Sequence, residues 1–413
     1  MFTPLDLDDL ARRGIPLAEA ERQLGLFTHP PAPASLDRAC TVGDGILRLD
    51  AAEQAAFERE GASALASGRV GKFVPASGAA TRMFQALQAD PAGDAAREVR
   101  DQLGRFAFAP ALTDEPDPGE AILRRFASLP KALLPFHRYG DHSHTAFEEH
   151  LYEAQALGVD RIHFTVSPEH RAGFLAVAER CPAPVAVSYS EQKPSTDTLA
   201  GRENGQPFRD AGGRLVFRPG GHGALLENLN DLRGDLVLIK NIDNITHSRL
   251  WPEQLRWKKI LLGVLLRARA ADRPTRVCGV VRNTGEPGGG PFWVRGRDGR
   301  TTPQIVESAE VDLTAPAQRA VFESATHFNP VDLACALCDA GGRPFDLRAF
   351  RDDEAVFVAR KSKDGQPLLA LELPGLWNGA MARWHTVFVE VPLETFNPVK
   401  TLSDLLRPAH QPA

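Results

Sequence analysis

The segment Asp235-Leu-Val-Leu-Ile-Lys-Asn-Ile-Asp-Asn244 contains the clearest strand signal in this chain. The large apolar residues Leu236–Ile239 run without interruption, which predicts a strand buried on both faces, as in a parallel sheet covered by helices. The polar residues that follow lie at the carboxyl end of that strand. Because open α/β sheets bind their ligands at this edge, Asp243 is a candidate functional residue.

Short apolar runs of the same kind recur along the chain, and several are separated by helical stretches. They lie at Phe73–Val74, Ile162–Val166, Val185–Tyr189, Val277–Val281 and Val387–Val391. Strands that alternate with helices are typical of an α/β fold in which helices cover both faces of the sheet. We therefore expect a largely parallel sheet flanked by helices.

Three segments depart from this alternation. Residues 1–66 are predicted to form an N-terminal helical extension, with Ala51–Ala66 as its clearest helix, and residues 67–413 the core. Within the core, a charged stretch with turn residues predicts an insertion at about 90–130. Residues Asn283–Pro291 are rich in glycine and proline, which predicts a long loop.

The composition limits the classes of partner. A net charge of −5 without a basic block argues against nucleic acid, because phosphate backbones are held by clustered lysines and arginines. No apolar run approaches the roughly 20 residues of a membrane span, and the first residues carry acids where an export signal carries lysines. Five scattered cysteines favour a reducing compartment, so we expect a cytoplasmic protein. The oligomeric state stays open.

Two groups of potential zinc ligands match no standard motif. The first is the histidine group His142, His144, His150 and His163. The second, Cys335 and Cys338, lacks another pair of ligands. Buried helical cysteines are the better interpretation, and we also expect Trp377 and Trp384 to be core residues.

A run of small residues follows the strand that contains Val74. Its members can let backbone N–H groups approach phosphate oxygens: Ser77, Gly78, Ala79 and Thr81. The N-terminus of the helix that follows favours an anion, and Arg82 adds a planar fork of donors. The same pattern also fits a strand–turn–helix unit that packs through small residues. The sequence contains no Walker loop.

A lysine precedes the apolar segment Ala132–Phe136, and a polar loop then leads to a helix at Thr145–Leu157. Lys131 could reach a phosphate as a compact point charge. A surface lysine at the start of a strand would give the same pattern, so this motif leaves both interpretations open.

A glycine turn opens the predicted helix Ala224–Leu232. It consists of Gly220, Gly221, His222 and Gly223. Glycines around one histidine form a loop whose backbone can lie flat against a planar ligand such as a nucleobase. A tight turn with a solvated histidine is the alternative.

The residues after Leu236–Ile239 include an acid that suits a metal. Asp243 supplies a hard oxygen ligand for Mg²⁺, which keeps several waters and bridges protein to phosphate. A turn aspartate that is stabilised by local hydrogen bonds is the competing interpretation.

Taken in order, these motifs resemble the sugar nucleotidyltransferases, particularly the eukaryotic-type UDP-sugar pyrophosphorylases. Ala79–Arg82 is similar to the end of the family's small-residue loop, and Lys131–Pro135 resembles its Lys-Pro-Leu-Leu-Pro segment. Ser190–Lys193 and Pro219–Gly223 resemble the two segments that contact the base, and Asn241–Asn244 resembles the metal-binding element.

Two later segments extend the resemblance to about residue 400. Glu307–Glu310 is similar to the segment that contacts the sugar, and Phe396–Lys400 is similar to the segment whose lysine meets phosphate. The whole chain also resembles domain-of-unknown-function family 4301, for which no activity can be carried over.

The resemblance implies a Rossmann-like, GT-A-like fold, with residues of about 271–413 completing the sugar side. It implies Mg²⁺-dependent transfer between a nucleoside triphosphate, with UTP favoured, and a sugar 1-phosphate. The implied roles are phosphate contact for Arg82, Lys131 and Lys400, base selection for Gln192 and the glycine turn, sugar contact for Asn244 and Glu307, and Mg²⁺ binding for Asp243. A nucleotide-binding protein without catalysis is the alternative, because Ala79 and Ala80 replace a family glycine.

Overall fold

The computed structural model describes residues 2–91, 93–285 and 288–412. Within these ranges the helices are α1 (Pro4–Arg13), α2 (Leu17–Thr28), α3 (Ala51–Ala66), α4 (Thr81–Ala89), α5 (Asp94–Asp101), α6 (Pro118–Phe126), α7 (Ala146–Leu157), α8 (Arg171–Arg180), α9 (Leu226–Asp231), α10 (Trp251–Ala268) and α11 (Pro316–Glu323). None of these helices has both the length and the apolar character that crossing a bilayer requires.

The strands are short, and many of them are separated by helices. They are β1 (Leu36–Ala39), β2 (Thr41–Val42), β3 (Gly45–Leu47), β4 (Val70–Pro75), β5 (Pro135–Tyr139), β6 (His142–Thr145), β7 (Arg161–Thr165), β8 (Ala186–Ser190), β9 (Thr198–Gly201), β10 (Phe217–Arg218), β11 (Leu236–Lys240), β12 (Thr275–Arg282), β13 (Gly290–Arg295), β14 (Thr301–Val306), β15 (His327–Phe328), β16 (Asp332–Ala336), β17 (Phe357–Lys363), β18 (Gln366–Glu372) and β19 (His385–Glu390).

One large sheet organises the molecule. Its strand order is β2-β3-β19-β12-β16-β11-β4-β7-β8, with β15 also paired to β12. Strand β16 is antiparallel to β11 and β12, and β15 is antiparallel to β12, whereas the other neighbours are parallel. This confirms the expected mostly parallel, mixed sheet with helices, and each apolar run used to predict it contributes to a strand.

Strand β11 shows why the uninterrupted apolar run predicts burial on both faces. Leu236 and Leu238 pack into the larger core, while Val237 and Ile239 pack into a second core on the opposite face. Successive side chains of a strand point to opposite faces, so a strand covered on both sides needs apolar residues at every position.

The strand order places a crevice beside β11. From β4 the chain continues to β7 and β8 on one side, and it then returns to add β11 on the other side of β4. Parallel sheets open a crevice at the carboxyl ends of their strands where the order reverses in this way. The ends of β4 and β11 therefore define the place to look for a ligand.

The expectation that residues 1–66 are helical is only partly right, since three strands lie among the helices. Strand β1 pairs with β13, and β2 and β3 extend the large sheet beside β19. Helix α3 packs on α10, where a Cβ on Gly61 would lie 1.9 Å from the Lys259 carbonyl oxygen. These strands have two to four residues, which is too short for a periodic signal in the sequence.

Two other local expectations are corrected. The glycine- and proline-rich run ends in strand β13, which begins at Gly290 and pairs with β1 and β14, while Glu286 and Pro287 lie outside the described residues. Cys335 is buried as expected, but on strand β16 rather than on a helix. In both cases distant strands supply the pairing, and local composition does not reveal it.

Candidate functional site

The crevice at the ends of β4 and β11 is a cleft of about 630 Å³. Segments that are far apart in sequence line it: Pro75, Ser77, Gly78, Ala79, Thr81, Arg82, Lys131, Gln192, Gly221, His222, Leu225, Asn241, Ile242, Asp243 and Trp377. Most residues proposed from the sequence to contact nucleotide, phosphate or metal thus meet in one cavity.

The small-residue loop and the start of α4 form one wall of the cleft. Strand β4 ends at Pro75 and helix α4 begins at Thr81, with Ala80 at the N-cap position. Ala80 has no side-chain oxygen to cap the first N–H groups of the helix. The first turn of α4 and the exposed Arg82 lie at the cleft, which is an arrangement that favours an anion.

The insertion returns the chain to this loop, and so delivers Lys131 to the cleft. The Lys131 N–H donates to the carbonyl oxygen of Gly78 at 3.2 Å, and the Ala80 N–H donates to that of Leu129 at 3.4 Å. Helices α5 and α6 therefore lie, along the chain, between two segments that are hydrogen-bonded to each other. The long sequence distance between the loop and Lys131 does not separate them in space.

Lys131 and Asp243 form an ion pair inside the cleft. Lys131 Nζ lies 2.7 Å from Asp243 Oδ2 and 2.9 Å from the carbonyl oxygen of Val399. The two side chains are 14% and 21% exposed, so the pair is largely shielded from water. The residue proposed to bind phosphate and the residue proposed to bind metal are thus counter-ions of each other.

The C-terminal segment holds the Asp243 loop from the other side. The Val399 N–H donates to the carbonyl oxygen of Asp243 at 3.0 Å. Asn244 is 2% exposed, and its Oδ1 accepts from the Asn397 N–H at 2.9 Å. Asn244, expected from the resemblance to meet the sugar, therefore contacts protein and does not line the cleft.

An aromatic pair forms another part of the cleft lining. The rings of His222 and Trp377 are stacked, with centroids 4.3 Å apart and planes 16° apart. His222 Nδ1 accepts the Leu376 N–H at 3.0 Å, which leaves the ring proton on Nε2. Burial lowers the pKa of His222 to about 4, so the ring is neutral at neutral pH.

Trp377 corrects the expectation of a core residue, because it lines the cleft as well as packing on the core. Trp384, 5% exposed, is the core residue expected. The sequence offers no signal that separates the two tryptophans. Trp377 comes to the cleft only because residues 373–376 pack against the glycine turn.

The glycines of that turn have different surroundings. Gly221, at φ 75°, lines the cleft. A Cβ on Gly220 would lie 2.5 Å from the Thr196 carbonyl oxygen, and one on Gly223 would lie 2.2 Å from the Pro374 carbonyl oxygen. Gly220 and Gly223 thus permit close packing of protein segments rather than contact with a ligand.

Two further residues proposed from the resemblance lie outside the lining. Lys400 follows Val399, and its Nζ lies 6.0 and 5.9 Å from the ring centroids of Phe328 and Phe396. Burial raises the pKa of Glu307, and the nearby side chains of Trp377 and Asn378 partly offset that rise. Lys400 therefore follows Val399, whose carbonyl oxygen contacts the lining residue Lys131. Glu307 lies beside the lining residue Trp377.

The donor set of the cleft limits how it could hold a metal. Among the described residues, no group of three or more His, Cys, Asp or Glu side chains is arranged to hold a metal ion. Asp243 is the carboxylate among the lining residues. Mg²⁺ is commonly held by one or two carboxylates together with substrate phosphates and water, and this donor set suits that mode of binding.

Comparison with solved structures gives the fold a class. The uridine diphosphate N-acetylglucosamine pyrophosphorylase from Trypanosoma brucei, in complex with inhibitor, has a TM-score of 0.59 and 15% identity, covering 98% of this chain and 79% of that chain. A UDP-glucose phosphorylase from Trypanosoma brucei has a TM-score of 0.55 and 16% identity, covering 97% and 77%. The UDP-glucose pyrophosphorylase from Leishmania major has a TM-score of 0.51 and 14% identity, covering 98% and 79%. The chain shares the fold of these three proteins.

A match to a family model shows the family of the chain. The model described as Domain of unknown function (DUF4301) matches residues 3–112, 122–272 and 268–411. The chain belongs to this family. No curated protein matches the sequence.

Proposed function

We propose that this protein joins a sugar 1-phosphate to a nucleoside triphosphate, with UTP favoured, and releases pyrophosphate. The observation that carries the proposal is the convergence of Arg82, Lys131 and Asp243 in one cleft that is also lined by the stacked pair of His222 and Trp377. The solved structures that share the fold support a uridine nucleotide, because they include UDP-sugar pyrophosphorylases, and mutants of the Leishmania major enzyme are in complex with UDP-glucose.

The proposed reaction is an in-line displacement at phosphorus. An oxygen of the sugar phosphate forms a bond to the α-phosphorus, the bond from that phosphorus to the bridging oxygen breaks, and pyrophosphate leaves with the electron pair. No covalent enzyme intermediate is needed. Catalysis of this kind consists mainly of positioning the reactants and stabilising charge.

The cations of the cleft suit the triphosphate. Arg82 presents a planar fork of donors beside the first turn of α4, and Lys131 lies across the small-residue loop. When a triphosphate enters, the Lys131 ammonium group can leave Asp243 and bind a phosphate oxygen, with little movement of the rest of the side chain. Lys400 lies next to Val399, which contacts Lys131, and we assign it to the sugar phosphate.

Asp243 would hold Mg²⁺ together with phosphate oxygens and water. When bound there, Mg²⁺ supplies neutralisation of the charge that develops on the phosphates. If Lys131 moves from Asp243 to a phosphate, the Asp243 carboxylate becomes available to the metal. The ion pair in the cleft is therefore compatible with metal binding that accompanies nucleotide binding.

The base and the sugar are assigned to groups at and next to the aromatic pair. The His222 and Trp377 pair offers an aromatic surface, Gln192 offers an amide, and Gly221 lets the backbone approach closely. Glu307 lies behind Trp377 and is our candidate for contact with sugar hydroxyls.

Pyrophosphate release from the purified protein tests the proposal. We expect release when UTP, Mg²⁺ and a sugar 1-phosphate are all present, and a rise in melting temperature with UTP and Mg²⁺. A panel of nucleoside triphosphates and of hexose and N-acetylhexosamine 1-phosphates identifies the substrates. The absence of release and of stabilisation across the whole panel would contradict the proposal.

A binding protein without catalysis is the second candidate. It is favoured by the alanines at positions 79 and 80 and by the charge neutralisation between Lys131 and Asp243. Nucleotide-dependent stabilisation without pyrophosphate release for any sugar phosphate would support this candidate.

A further inference from the structure

A group of charged side chains lies in the protein core behind the cleft. Lys72 on β4, Lys240 on β11 and Glu153 on α7 are each at most 2% exposed. Glu153 Oε2 lies 2.5 Å from Lys72 Nζ, and Glu153 Oε1 lies 2.8 Å from Lys240 Nζ. A single carboxylate thus joins helix α7 to the two strands whose ends form the cleft.

Stability alone is a weak explanation for this group. Burial of charge is costly, and buried ion pairs can often be replaced by apolar residues without loss of stability. The cost is visible at Lys72, where burial lowers the pKa to about 8. A nearby buried pair, Lys258 with Asp332 at 2.8 Å, adds a third lysine and a second carboxylate to the same region.

His150 connects this group to the Asp243 loop. It lies three residues before Glu153 on α7, is fully buried, and receives a hydrogen bond on its carbonyl oxygen from Lys72 Nζ at 3.2 Å. Its Nε2 lies 3.2 Å from the carbonyl oxygen of Ile242. Since a carbonyl oxygen only accepts, Nε2 carries the ring proton and donates it.

Among the described residues, the rest of the His150 ring makes no hydrogen bond. Burial lowers the pKa of His150 far below its usual value, so the ring is neutral. Its Nδ1 has no hydrogen-bond partner among the described residues. The bond to Ile242 is therefore the polar contact that a substitution of the ring would remove.

We propose that His150 is a positioning residue, held in place by Glu153 and the two lysines, which fixes the backbone immediately before Asp243. Strands β4 and β11 are tied to α7 by Glu153, and α7 in turn holds Ile242 through His150. Asp243 is thereby presented at a fixed distance from the loop that precedes Arg82. The expected effect on ligand binding rests on the proposed function, whereas the effect on the backbone does not.

A matched pair of variants tests this inference. His150→Met removes the donor, while His150→Gln can place an amide N–H near the position of Nε2. In the full chain, hydrogen exchange is measured at the amides of Asn244 and Val399, which report on the loop through their own hydrogen bonds. We expect exchange about tenfold faster in His150→Met and close to wild type in His150→Gln.

The second measurement is the Mg²⁺ concentration at half-saturation of UTP-dependent thermal stabilisation. We expect it to rise about tenfold in His150→Met and to be restored by His150→Gln. Unchanged exchange in His150→Met would overturn the inference, and so would equal effects of Met and Gln. If Met does not fit the space, His150→Leu gives the same comparison.

The two proposals fail in different ways. If wild-type protein shows no stabilisation by UTP and Mg²⁺, the proposed function fails, while the exchange rates still decide the role of His150. If stabilisation occurs but the exchange rates of the variants equal those of wild type, the proposed function stands and the positioning role is wrong.

Discussion

Replacement of Asp243 by asparagine distinguishes the role of this carboxylate in activity from its role in the stability of the protein. The change keeps the side-chain volume and removes the charge that lies 2.7 Å from Lys131 Nζ. Because the two side chains remain 14% and 21% exposed, we expect the loss of the pair to cost about 1 to 2 kcal/mol. A chain of 413 residues unfolds with an entropy of roughly 0.9 kcal/mol per kelvin, so the melting temperature should fall by only about 2 °C.

Activity should respond far more strongly. Loss of one preorganised charge contact in the transition state costs on the order of 3 kcal/mol, which is about a hundredfold in rate. The assay is pyrophosphate release at saturating UTP and sugar 1-phosphate over a range of Mg²⁺ concentrations, together with thermal unfolding. Turnover by Asp243→Asn within about threefold of wild type would refute the assignment of Asp243.

The chain provides a matched control at the other end of β11. Asp235 precedes the strand, is 19% exposed, and pairs with Arg269 at 2.5 Å and with Arg69. Asp235→Asn removes a similarly shielded charge, but at the edge of the sheet that is opposite the edge with the cleft. We expect a comparable loss of stability and unchanged turnover. Equal loss of activity in both variants would show that the effect is structural.

Three further predictions concern other groups near the cleft. Lys131→Met removes the counter-ion of Asp243. In titration calorimetry, Mn²⁺ alone should therefore bind about tenfold more tightly, and UTP should bind more weakly. Weaker Mn²⁺ binding would contradict this. Trp377→Ala removes the ring on which His222 stacks, and UTP affinity should fall about tenfold; unchanged affinity would exclude a base at this wall. Burial raises the pKa of Glu310 to about 7, so Glu310→Gln should be more stable than wild type above that pH, by about 3 kcal/mol, in chemical denaturation.

The sign of the last prediction follows from proton uptake. The unfolded chain titrates Glu310 near its ordinary value of 4.5, whereas the folded protein keeps the proton up to about pH 7. Wild-type stability therefore falls as the pH rises between these values, and the cost is complete above the higher one. The two proteins should be equally stable below pH 4.5. A difference that does not vary with pH would show that the carboxyl group is not protonated in the folded state.

The local sequence is sufficient to predict the strands of the sheet and the position of Asp243 at the end of one of them. The apolar run before Asp243 is long enough to predict a strand buried on both faces, and the carboxyl end of such a strand is where ligands bind. The small-residue loop before Arg82 was recognisable for the same reason, since strand, turn and helix follow each other within a few residues.

Contacts between distant segments were not predictable in the same way. The sequence shows His150 only as one of several histidines without a zinc motif, because its partner Ile242 is on another segment of the chain. Asn244 has a position next to Asp243 but turns into the protein, where the Asn397 backbone occupies its side-chain oxygen. Neither the direction of a side chain nor its partner is encoded in the residues beside it.

Sequence patterns are enough to predict the alternation of strands and helices, and with it the edge of the sheet at which Asp243 lies, because both depend on the period of apolar residues within short segments. The tertiary structure decided which groups join Asp243 there. Lys131 arrives because backbone hydrogen bonds close the insertion at Gly78, and Trp377 arrives because its segment packs on the glycine turn. Such contacts depend on the path of the whole chain, which no local pattern of residues specifies.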